Sequence, residues 1–94
     1  MRKIISLMLA VAAPALAHAQ TPHDRLTQVI DDHWKWYLSV HPVEATARGV
    51  RDYDDQISDL SLAARDAQIK AEQGFVTRLD AVPETGLDAA DKVN

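Results

Sequence analysis

The chain contains no cysteine, only three glycines, at 49, 74 and 86, and just five aromatic rings, from two tryptophans, two tyrosines and one phenylalanine. Without cysteine there is no disulfide to brace a small exported domain. Three scattered glycines supply no glycine-rich phosphate loop, and none flanks Ser39, Ser58 or Ser61 in the way a nucleophile elbow requires. Basic charge is also scarce, with ten Lys and Arg against fourteen Asp and Glu. Arg2 and Lys3 take two of the ten, which leaves residues 20–94 at a net charge of -6. A sequence-independent grip on nucleic acid or on an anionic membrane needs clustered cations, so neither is an expected partner.

The longest apolar run, Ile4 to Leu16, is thirteen residues broken by Ser6 and Pro14, short of the roughly 20 that cross a bilayer. With Arg2 and Lys3 before it and Ala17-His18-Ala19 after it, the run reads as a cleavable secretory signal over residues 1–19. The small residues Ala17 and Ala19 suit a signal peptidase, and Gln20 becomes the mature N-terminus. The expected location is the periplasm or the extracellular space, with no stable membrane anchor. No cysteine follows the run to carry a lipid, and there is no arginine pair for twin-arginine export.

Residues 20–94 read as all-α. Thr21 caps a helix with Pro22 in its first turn and Asp24 near its orphan amides, running to about His41 before Pro42. At 100° per residue, Trp36, Val29, Val40, His33, Leu26, Tyr37, Ile30, His41 and Trp34 share one arc. That arc is wider than an ordinary surface helix needs, so packing is expected on more than one side, more than short neighbours supply. Asp31 and Asp32 fall on the opposite, solvent side, where Asp31 can pair with Lys35 four residues on.

Pro42 to Gly49 repeats the pattern over two turns, with Glu44 early, Arg48 late and glycine just past the end. Val50 to Leu60 has no sustained period and reads as a loop. Ser61 caps a second long helix to about Val82, whose apolar side combines Leu62, Ala64, Ile69, Ala71, Phe75, Val76, Leu79 and Val82. Glu84-Thr85-Gly86 is a turn, and Asp88 with Asp91 three residues on caps a last helix of one turn. One turn does not repay its nucleation cost, so this helix is expected to bury nothing, and residues 20–94 are expected to be the first part of a longer domain.

The residues offer no catalytic or metal set. His23, His33 and His41 stand ten and eight apart, whereas helical zinc ligands sit one turn apart. His33, inside the apolar arc, is expected to be packed and hydrogen-bonded. Asp52 and Asp54 match the first and third positions of an EF-hand loop, but Ile57 replaces its glycine and Ala63 its final glutamate. The Asp52 to Asp59 segment therefore reads as a solvated acidic loop with local Asx turns. Trp34, Trp36 and Tyr37 could make an aromatic platform, though their place on the arc favours core packing.

Taken in order, Trp36-Tyr37-Leu38, Pro42-Val43-Glu44-Ala45-Thr46, Gly49, Tyr53-Asp54-Asp55, Asp59-Leu60-Ser61, Leu79-Asp80 and Asp88 to Asn94 resemble the N-terminal region of a bacterial family, domain of unknown function 885. The likeness spans about Asp31 to Asn94; Lys92-Val93 departs from the Arg-Leu more usual there. It implies a longer, mostly helical, exported protein similar to gluzincin zinc metallopeptidases. In such proteins a downstream His-Glu-x-x-His holds Zn²⁺ and its glutamate activates the metal-bound water. None of that signature occurs here, so the resemblance carries over no catalytic, cofactor or metal residue: zinc and a peptide substrate are expected only of the full-length protein, and the partner of these helices is the remainder of its own polypeptide. The competing expectation is a complete small periplasmic helical protein that binds a partner or acts as a chaperone.

Overall fold

A computed structural model describes residues 20–94; the secretory signal expected over residues 1–19, with Ala17 and Ala19, lies outside the described residues, and Gln20 is the first of them. Those residues are all-α: α1 spans Pro22–Val40, α2 Pro42–Ala47, α3 Leu62–Asp80 and α4 Ala89–Val93. Short 3₁₀ turns at Arg51–Tyr53 and Glu84–Gly86 punctuate the segments expected to be a plain loop and a plain turn. No described helix is long and apolar enough to cross a membrane.

The helix starts form where side chains satisfy the first amides. Thr21 Oγ1 accepts from Asp24 N, while Asp24 accepts from Thr21 N, a reciprocal capping box. Ser61 caps α3 through Ala64 N, and Asp88 and Asp91 form a second capping box on α4. Pro42 sits at the first turn of α2 and separates it from α1 at His41. Gly49, at φ 84°, takes the left-handed conformation that turns the chain out of α2.

α1 is the central element, packed against α3 on one side and α2 on another, while α2 also rests on the Arg51–Tyr53 turn. Its wide apolar arc is thus divided between two neighbours. Leu26 and Val29 are buried with Val82 beneath the end of α3, and Leu38 is buried towards α2, where Pro42 and Ala45 are buried too. Ile30 and Trp34 stay 41% and 44% exposed, so the short α2 does not cover the whole second side.

Two expectations about α3 and α4 need correction. α3 ends at Asp80, two residues before Val82, and its apolar residues do not form one side. Ala64, Gln68, Ala71 and Phe75 are half-buried, whereas Leu62, Ile69 and Val76 are exposed. At 100° per residue these two lines are about 130° apart, because 62, 69 and 76 repeat every seven residues on a different meridian from 64, 68, 71 and 75. α4, although a single turn, does bury a group: Asp91 is 7% exposed. Its carboxylate faces His23 in the first turn of α1, with Nδ1 2.9 Å from both oxygens.

Candidate functional site

A dense side-chain network lies at the α1–α2 corner. Tyr37 OH donates to Glu44 Oε2 at 2.6 Å, and Arg48 donates to Glu44 Oε1 from Nε at 3.0 Å and from its terminal nitrogen at 2.7 Å. The Tyr37 hydrogen bond, then the Arg48 hydrogen bonds, hold the Glu44 carboxyl below its ordinary range. The same hydrogen bond to a carboxylate, with partial burial, raises the Tyr37 phenol. Thr46 donates to Asp54 Oδ1 at 2.6 Å, and Arg51 pairs with the other oxygen of that aspartate, so α2 and the acidic segment are tied together. Asp59 accepts from Ser61 N at 2.9 Å, an Asx turn leading into the cap of α3.

Aromatic rings gather on either side of α1. Trp34 and Tyr37 stack with centroids 5.7 Å apart and planes 8° apart, and the Arg48 guanidinium lies 5.4 Å from the Trp34 ring. Trp34 is therefore a partly exposed stack rather than the packed core residue expected, with the cation of α2 serving as its cover. Towards α3, the His33 ring meets Phe75 edge-on at 5.1 Å and Trp36 at 5.5 Å. Its packing follows the expectation; its hydrogen bond does not, since ring contacts replace a polar partner among the described residues. His41 lies against Tyr37 at 4.2 Å.

Three polar ties between distant segments escaped the sequence reading. His23 reaches Asp91 across 68 positions. Its pKa is raised above 6.5, first by the Asp91 hydrogen bond and then by that carboxylate's charge. Asp32, expected to face water, accepts from Arg78 of α3 at 2.7 Å and from Gln28 at 2.8 Å; Arg78 and then Gln28 lower its pKa. The Asp31 and Lys35 pair is not among the described ion pairs. Arg25 donates to the Ala81 carbonyl at 3.0 Å, closing the C-terminus of α3 onto α1.

An open cleft of about 290 Å³ separates the C-terminal half of α1 from the start of α3, lined by Trp36, Ser39, Pro42, Ile57, Asp59 and Gln68, among others. A second hollow continues from Asp59 past Leu60 and Ser61. Asp59 is held below its ordinary pKa, mainly by the Ser61 amide, and so offers a carboxylate to the cleft rim. Ser39 is engaged with its own helix, donating to the Trp36 carbonyl at 2.6 Å, and has no base beside it to make a nucleophile. Among the described residues no three His, Cys, Asp or Glu side chains converge on a metal-sized space. His23, His33 and His41 are held in three different environments, so these residues do not fit the zinc set that the family resemblance implies. The cleft offers apolar surface from Trp36, Pro42 and Ile57 and polar groups from Gln68 and Asp59.

No family model matches the chain, and neither the curated proteins nor the solved structures compared with it give a match.

Proposed function

We propose that residues 20–94 form the N-terminal helical part of an exported protein similar to the zinc metallopeptidases of the gluzincin type, and that they supply a wall of its peptide-binding cleft. The observation that carries this reading is the convergence of separate family-like segments on one cleft: Trp36, Pro42 and Asp59 line it, and Leu60 and Ser61 line its continuation. Ile57 and Leu60, 86% and 92% exposed, present apolar surface at the same rim. Zinc and the water-activating glutamate belong, in this reading, to the remainder of the polypeptide. The part played here is to hold substrate against the wall.

The test is the coding sequence beyond Asn94, followed by the protein it encodes. An open frame carrying His-Glu-x-x-His, one zinc per protein by elemental analysis, and peptide hydrolysis that fails when the signature glutamate becomes glutamine are the expected results. A stop codon directly after Asn94 overturns it. The exposed apolar groups at the rim favour a second reading, a small periplasmic binding or chaperone-like protein, and that stop codon is the result it requires.

A further inference from the structure

Among the described residues Asp91 is the one charged side chain that is buried, and it sits in the middle of the single turn of α4. The rest of that helix is in water: Ala89, Ala90, Lys92 and Val93 are all exposed. Beyond its own capping box, the described polar partner of Asp91 is His23 of α1, whose Nδ1 lies 2.9 Å from both carboxylate oxygens. The preceding turn is held in another way. Gly86 packs so closely on Pro22 that no Cβ fits between them. Leu87 and Asp88, both extended, join this anchored turn to α4. An anchor, two extended residues and a helix held by one polar contact are the parts of a hinged flap.

We propose that α4 is a proton-operated latch: it docks on α1 while the His23 imidazole is charged, and swings out about Leu87 and Asp88 when that proton leaves. A buried carboxylate needs a countercharge, and one left without it is relieved by moving into water. Imidazolium supplies the charge and always places a hydrogen on Nδ1. Neutral imidazole supplies no charge and carries that hydrogen in only one of its two tautomers. No described cation takes over the role. The charged groups about His23 are Asp91 and Asp88 from α4 and its cap and Asp24 on α1, all acidic. Asp80, Glu84 and Lys92 line the hollow beside Asp91, and Lys92 makes no ion pair among the described residues. The Asp91 hydrogen bond, and after it the Asp91 charge, raise the His23 pKa above 6.5. The latch is therefore closed below that value and opens as pH climbs through the raised one. Opening takes Asp91 and Lys92 from the wall of a hollow of about 680 Å³ and widens access to its apolar residues Leu26, Leu79 and Val82. None of these residues lines the cleft assigned to peptide, so the two readings stand apart.

The experiment is an NMR titration of the mature protein across the neutral and mildly alkaline range, following the His23 ring protons and the amides of Ala89 to Val93 together. The ring is expected to titrate above 6.5, and the α4 amides to move towards free-chain positions with the same midpoint, while amides in the middle of α1 stay in place. Proton binding and docking share one thermodynamic cycle. The docking constant should thus fall about tenfold for every pH unit by which the parent midpoint exceeds that of Asp91→Asn. That variant keeps an acceptor for the cap but loses the charge, so its His23 should titrate near 6.5 and its α4 should show no step. His23→Gln, whose side chain does not titrate, should also abolish the step while α1 and α3 keep their signals. A ring that titrates at or below 6.5, α4 amides that do not move with it, or a step that survives in His23→Gln would each overturn the proposal.

Discussion

At the scale of single residues, ionisation couples the two ends of the described chain. The His23 ring is largely exposed, but Asp91 beneath it is buried, so the pair works as a clasp whose strength follows the proton on the imidazole. Because the folded protein raises the His23 pKa, it holds that proton more tightly than the unfolded chain does. The stabilisation is therefore complete below 6.5 and disappears as pH rises through the raised value. The carboxylates of Asp32, Glu44 and Asp59 act in the opposite sense: their lowered pKa values give stability that is present above about 4.5 and is lost as pH falls further. Urea midpoints measured against pH should thus be highest between these limits. Asp91→Asn should remove the decline on the alkaline side while leaving the acid limb in place. An unchanged alkaline limb in that variant would show that the clasp is not its cause.

At the scale of elements, glycine gives predictions of opposite sign at two positions. Gly86 lies so close to α1 that a Cβ there would run into the ring of Pro22, whereas a Cβ at Gly74 would meet nothing within 4 Å. Gly86→Ala should therefore cost about 1 to 3 kcal/mol by pushing the Glu84–Gly86 turn off α1. Gly74→Ala, in the interior of α3, should stabilise by about 0.5 to 1 kcal/mol; denaturant unfolding measures both. The sequence alone does not show this difference, since what Gly86 meets is Pro22, far away along the chain. What was legible was local: Thr21, Ser61 and Asp88 cap where they were expected to, Pro42 divides two helices, and Gly49 turns the chain at positive φ. Capping and turn chemistry acts over three or four residues and leaves its mark in the residue order. His23 with Asp91, Asp32 with Arg78, and Arg25 with the Ala81 carbonyl span 46 to 68 positions, and no local pattern encodes them. The two lines of α3, by contrast, are separable on a helical wheel, and only the position of the neighbouring helix says which of them is covered.

At the scale of the whole molecule, the described residues bury few large side chains: Leu26, Val29, Leu38 and Val82, with Ala45. A core of this size leaves stability sensitive to each of its members, and a buried leucine of α1 and an exposed one of α3 should respond differently to the same truncation. Leu26→Ala removes a buried side chain beneath Val82 and should cost about 2 to 3 kcal/mol. Leu62→Ala, at a side chain 80% exposed, should change stability by no more than about 0.5 kcal/mol. Melting temperature should therefore fall in Leu26→Ala and stay close to the parent's in Leu62→Ala. Scanning calorimetry on the parent and both variants checks this: a shift confined to Leu26→Ala shows that Leu26 belongs to the core and that Leu62 stands outside it. If Leu62→Ala lowers the midpoint as far as Leu26→Ala does, Leu62 is packed in solution and the assignment of an exposed line to α3 fails.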